Sequence, residues 1–296
     1  MPPIQLVFAL VIAVLVVTAI ASLRAMVARR AERAYSARFA RDDEGVVRGA
    51  EAFALVGTNG RALLLLHGFG DTPQTLRYLA DRLHAAGYTV RAPLLPGHGR
   101  ALRDFALATA EDYLRSAREE LDRMRASSEW VGLVGLSMGG AVAARLAAER
   151  RDLRALVLLA PYLTPPPSIV LVSRSAPVLA LTVPYLRGGG DASVHDPVAR
   201  AASFSYGMFP PQAVRALVAT ASAARAALPA ITAPTLVVNS REDNRIPYAL
   251  AKVATETLRA PTERHWVAGC GHVITVDFCR DEVAGLVLDF LARHAD

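Results

Sequence analysis

At 296 residues, with 53% hydrophobic and 20% charged side chains, the chain is long enough for one large domain or two small ones and too apolar to be disordered. Its formal charge of +6 includes seven arginines against four acids in the first 50 residues; the remainder is only mildly basic and carries no basic stripe, which excludes a nucleic-acid surface and directs the charge at a membrane. Two cysteines, Cys270 and Cys279, are too few for a disulfide framework and match no zinc spacing, so they read as reduced thiols near a core.

Residues Ile4 to Leu23, IQLVFALVIAVLVVTAIASL, contain no charge. At about 1.5 Å per residue, some 20 helical residues cross a hydrocarbon core of about 30 Å. Residues 1–23 are therefore expected to form a transmembrane anchor. The sequence Ala19–Ala21 resembles a signal-peptide cleavage site, so export after cleavage is the alternative. Arg24, Arg29, Arg30, Arg33, Arg38 and Arg41 follow the span. By the positive-inside rule they place the downstream domain in the cytoplasm, beneath a bacterial inner membrane. Residues 24–49 read as a charged juxtamembrane linker.

From residue 50 to 296 short apolar runs alternate with longer amphipathic ones. RALLLLHG (61–68), YTVRAPLL (88–95), WVGLVGLS (130–137), LRALVLLAP (153–161), PTLVVNS (234–240) and TERHWVAG (262–269) read as strands. The segments 73–87, 110–127, 138–150, 248–259 and 280–294 read as helices. This order predicts an α/β fold with a mostly parallel sheet and helices on both faces. The interval 161–233 breaks the rhythm with prolines, the Gly188–Gly190 triplet and scattered apolar pieces. It is expected to form a cap over the C-terminal edge of the sheet, where ligands bind in such folds.

Ser137 stands in GLSMG, between a predicted strand and a predicted helix. A strand turning sharply into a helix exposes one side chain at its tip, and Gly135 and Gly139 leave room for the turn; this is the logic of a nucleophile elbow. Ser137 as a plain helix N-cap fits the same stretch. A serine nucleophile needs a base and an acid to orient the base, following in the order serine, acid, histidine at strand ends. The strand 234–240 runs into Glu242 and Asp243, and the strand 262–269 runs into His272. The shorter Asp243 is favoured over Glu242. Asp191 and Asp196 follow no strand, His84 lies in a helix and His265 in a strand, and His98 reads as a structural histidine in a tight loop. Asp277 reads as support for the His272 loop. Backbone amides of Met138 and of Phe69, within HGFG, could hold the oxyanion of a tetrahedral intermediate.

These pieces, LLLLHGFGDTPQTLRYLADRLHAAGYTVRAPLLPGHG, VGLSMGG, LVVNSREDNRIP and GCGHVITVD, resemble the α/β-hydrolase superfamily, and within it small bacterial monoacylglycerol lipases and carboxylesterases. The resemblance covers roughly residues 50–294. It implies Ser137 as nucleophile, Asp243 as acid, His272 as base, the Phe69 and Met138 amides as oxyanion hole, and no cofactor or metal. It implies a serine hydrolase of acyl esters, with thioesterase, acyltransferase and aminopeptidase chemistries open on the same scaffold and a catalytically silent membrane-tethered binding protein as the alternative from another class. The span 4–23 is foreign to those soluble enzymes, and the cap aligns with none of their motifs.

Overall fold

A computed structural model of the protein describes residues 3–188 and 193–295. Helix α1 spans Pro3–Ser36 and is followed by β1 (Phe53–Leu55), β2 (Arg61–Leu66), α2 (Arg77–Ala85), β3 (Thr89–Ala92), α3 (Leu102–Phe105) and α4 (Ala110–Arg125). Then come β4 (Trp130–Leu136), α5 (Met138–Glu149), β5 (Ala155–Leu159), α6 (Pro167–Thr182), β6 (Leu186–Arg187), α7 (Pro197–Ala201), β7 (Met208–Phe209) and α8 (Pro211–Ala227). The chain ends with β8 (Thr235–Ser240), α9 (Tyr248–Ala254), β9 (Thr262–Val267) and α10 (Arg280–Arg293). Seven strands form one sheet in the order β1-β3-β2-β4-β5-β8-β9. Its pairings are parallel except at the β1 edge, which is antiparallel to β3. This is the α/β-hydrolase architecture.

The unbroken apolar runs are explained by burial on both faces. Leu64, Leu66, Leu133, Leu156 and Leu158 point to one face, under α4, α5 and α8. Their neighbours Leu63, Leu65, Val134, Val157 and Leu159 point to the other, under α2 and α10. Successive residues of a strand face opposite sides, so each run feeds two cores at once. Each leucine removed from water there contributes about 1.5–3 kcal/mol. Helix α4 begins where Thr109 and Asp112 cap each other reciprocally.

Three expectations change. The region 24–49 is not a free linker: α1 runs on to Ser36 without a break, and its second half docks on the domain. Arg24 Nε donates to the Ala180 carbonyl (2.7 Å), and Glu32 Oε1 accepts from Tyr185 Oη (2.5 Å) and the Arg103 amide (2.8 Å). Tyr35 is buried against Tyr206 and Phe39. The charges that suggested a solvated linker are those of an amphipathic helix with one docked face. The cap is shorter than 161–233, because α8 packs on α5 and fills the sheet-covering position between β5 and β8. What stands above the sheet is α6, α7 and the small antiparallel pair β6–β7; Gly189, Gly190 and Asp191 lie outside the described residues. Finally, Cys270 and Cys279 are joined in a disulfide rather than reduced, with Cα atoms 5.8 Å apart. The loop after β9 folds back on itself, which brings two residues nine apart in sequence into bonding range.

Candidate active site

The buried strand β4 ends at Ser137, whose backbone takes φ 54° and ψ −116°. A non-glycine residue there is strained, a cost that persists only where surrounding structure imposes it. The surroundings do so: a Cβ on Gly135 would lie 2.3 Å from the Gly139 carbonyl oxygen, and one on Gly139 2.0 Å from that of Leu66. Only glycines let strand and helix approach so closely. The Ser137 amide donates to Leu159 O (2.9 Å), and its carbonyl accepts from the amides of Tyr162 and Ala141. Its hydroxyl caps no helix amide, which removes the N-cap reading.

The hydroxyl instead meets His272, 135 residues away in sequence: Nε2 and Oγ are 2.8 Å apart. His272 Nδ1 lies 2.7 Å from Asp243 Oδ2. The other carboxylate oxygen of Asp243 accepts from the amides of Arg245 (2.7 Å) and Ile246 (2.9 Å). Burial pushes the Asp243 carboxyl up, but the His272 charge, its hydrogen bond and the two amides outweigh this and hold it below the usual carboxylate range. All three residues are buried, with about a tenth or less of their surface exposed. Glu242, by contrast, faces Gly269 N and Ser240 Oγ and has no contact with the imidazole.

The His272 loop is held from several directions. Asp277 is fully buried and accepts four backbone amides, from Gly271 and Phe278 in its own loop and from His195 and Asp196 in the cap. Ser240 Oγ donates to Cys270 O, joining the β8 end to the same loop, and the disulfide closes its base. Asp196 caps α7 and takes no part near the imidazole. His265 pairs with Glu263 at the far surface.

On the opposite side, Phe69 lies in the loop after β2, and its amide has no hydrogen-bond acceptor among the described residues. Met138 opens α5, where first-turn amides lack intrahelical acceptors. His98 is structural: it is fully buried, its Nε2 accepts from the Gly70 amide (3.1 Å), and burial lowers its pKa to about 4, so it stays neutral. His67 does the same for Leu95 N. The same loop carries Asp71, whose carboxyl is pushed up by burial to about 6. Above Ser137 opens a cavity of about 440 Å³. Ile169, Met208, Val214 and Leu217 line it with apolar surface, and Ser193, Asn244 and Arg245 with polar groups. These three were not singled out in the sequence; the only signal was that Asn244 and Arg245 directly follow Asp243.

The profile of the serine aminopeptidase S33 hydrolases matches residues 58–278. The chain belongs to that family. The span that this S33 chain shares with its family holds Ser137, Asp243 and His272 and leaves α1 outside. A thermostable monoacylglycerol lipase of Bacillus sp. (strain H-257) is 29% identical to it over 262 residues, 84% of this chain and 97% of that enzyme. A carboxylesterase of Bacillus subtilis (strain 168) is 25% identical over 237 residues, 79% and 93% of the two chains. Among solved structures, a metagenome-derived lipolytic enzyme superposes with a TM-score of 0.77 at 26% identity, covering 84% of this S33 chain and 100% of the other.

Proposed function

We propose that the chain is a serine hydrolase of carboxylic esters that acts on lipid-derived substrates such as monoacylglycerols. The observation that carries this is the unbroken hydrogen-bonded line from Ser137 Oγ through His272 to Asp243 at the floor of a largely apolar cavity. His272 Nε2 takes the Ser137 proton as Oγ attacks the ester carbonyl. Asp243 fixes Nδ1 as the protonated nitrogen and stabilises the imidazolium that forms. The Phe69 and Met138 amides receive the oxyanion, the latter at the positive end of α5. His272 then protonates the leaving alcohol, and water repeats the sequence on the acyl-enzyme.

The family's aminopeptidase name and the two Bacillus ester hydrolases point to different leaving groups. The cavity's apolar lining favours an acyl chain. A panel of p-nitrophenyl esters and monoacylglycerols of graded chain length, with acyl thioesters and aminoacyl arylamides beside them, separates the two. Medium or long acyl esters should be turned over fastest; faster release of the arylamine would overturn the ester assignment.

The domain is proposed to be held at a membrane by α1. An 18-residue window of this helix reaches a mean hydropathy of 3.0, and the Ala19–Ala21 stretch lies inside an unbroken helix whose later turns pack on the domain. Beside it, α6 leaves Leu171, Val178 and Leu181 exposed, an apolar surface suited to lipid. The arginines after the span argue for a cytoplasmic domain. The disulfide argues for the oxidising side, where such bonds persist, and several of those arginines have local structural partners: Arg24 at Ala180 O, Arg41 at Gly45 O and over the Tyr35 ring. We therefore propose that the domain faces the oxidising side. Cells quenched in acid and treated with a maleimide-polymer should show no mobility shift of this chain until a reductant is added; a shift without reductant would return the domain to a reducing compartment.

A further inference from the structure

Arg245, at the wall of the catalytic cavity, has no ion-pair partner among the described residues. Its Nε donates to Ser193 Oγ (2.7 Å), and this is its one side-chain hydrogen bond among the described residues. No carboxylate lies within ion-pair distance of it among those residues, so the two Nη nitrogens have no acceptor there. The side chain is only partly exposed, and burial pulls its pKa down against the opposing pull of Asp243 and Tyr162. Asp243 acts on it through space but lies outside ion-pair distance, and its carboxylate is directed at His272 and two backbone amides. A guanidinium cannot shed its proton in this pH range, and withdrawing an unpaired charge from water is costly. A half-buried guanidinium whose two Nη nitrogens stay open at a cavity wall is suited to an anion that arrives with the ligand.

Its place identifies which part of the substrate it meets. Ser193 holds Arg245, also donates to Asn244 Oδ1 (3.1 Å), and accepts at its carbonyl from the amide of Val273, the neighbour of His272. The guanidinium is thereby fixed on the histidine side of the site. His272 is the group that protonates the leaving alcohol, whereas the apolar lining comes from other segments, at Ile169, Met208, Val214 and Leu217. Asp71, the other acid near the cavity, feels His272 and does not act on Arg245.

We infer that the preferred substrates carry an oxyanion, phosphate or carboxylate, on the leaving alcohol, and that Arg245 is the residue that selects them. This rests on the ester-hydrolase reading above. The acyl–oxygen bond is the one cleaved: water supplies the hydroxyl of the released fatty acid and the proton of the alcohol, and the anionic group leaves intact on that alcohol.

The test compares a monoacylglycerol, the same monoacylglycerol carrying a 3-phosphate, and an O-acyl hydroxy acid of equal chain length. The wild type should favour at least one anionic ester over the neutral one by about tenfold or more in kcat/KM, mainly through KM, and the two anionic arms tell phosphate from carboxylate. Arg245→Met should remove the preference, and Arg245→Lys, which keeps the charge and loses the fork, should restore part of it. If the methionine variant fails to fold, product inhibition of the wild type decides: glycerol 3-phosphate or lactate should compete with a neutral ester where glycerol does not. Equal use of neutral and anionic esters, or a preference that survives in Arg245→Met, overturns the inference and leaves the esterase reading standing. Absence of hydrolysis of every ester, the neutral ones included, would sink the reading beneath it.

Discussion

Ser137→Ala should lower kcat for ester hydrolysis by roughly 10⁴- to 10⁶-fold while leaving the fold intact. The loss is large because the attacking oxygen is removed and no second hydroxyl among the described residues contacts His272 Nε2. What remains is the weak catalysis of binding and the oxyanion hole. The fold should survive because the strain at φ 54° belongs to the backbone: alanine has the same Cβ as serine, and the amide and carbonyl bonds to Leu159, Ala141 and Tyr162 do not involve the hydroxyl. Steady-state kinetics together with a melting curve check both halves. A variant retaining a tenth of the activity would mean that another nucleophile carries the reaction.

Asp243→Asn should be nearly as damaging, with kcat reduced by about 10⁴-fold. Oδ1 of Asp243 accepts from two backbone amides. In the variant the carbonyl oxygen of asparagine must remain there, because an NH2 group would face two donors. Its NH2 is then presented to His272 Nδ1, which must act as acceptor. The imidazole proton moves to Nε2, where it blocks uptake of the Ser137 proton. The substitution thus imposes the wrong tautomer with little change in shape, so KM should move far less than kcat. Glu242→Gln is the control and should stay close to wild type, since Glu242 faces Gly269 and Ser240. If the two variants exchange these outcomes, the orienting acid has been misassigned.

Much of this arrangement was legible in the sequence because its signals are local. The run Leu63–Leu66 announces a strand buried on both faces. Glycines on either side of Ser137 report a close approach that the structure measures at 2.0 and 2.3 Å. His272 and Asp243 were singled out by their positions after strands, a rule of topology that holds at any sequence separation. Other features depend on where loops fold, and local pattern does not encode that. Whether Cys270 and Cys279 bond is decided by a turn around Asp277, whose amide partners come partly from the cap. Helix α8 was missed because it packs on α5 with small residues such as Ala216, Ala221 and Ala224, which give little apolar periodicity. The second half of α1 looked like a linker because its docked face rests on a few contacts: Glu32, Tyr35 and the aliphatic residues near them. Arg245 attracted no notice, since in sequence it is one of many arginines; what sets it apart is its place at the cavity wall with no ion-pair partner among the described residues.

Activation of Ser137 by His272 as a nucleophile is tested most directly by reaction with a fluorophosphonate. Mass spectrometry of the digested protein should find one phosphonyl adduct, on the peptide containing Ser137, formed quickly in the wild type and far more slowly in Asp243→Asn. A wild-type protein that stays unmodified, or that carries its adduct on a different residue, would contradict it.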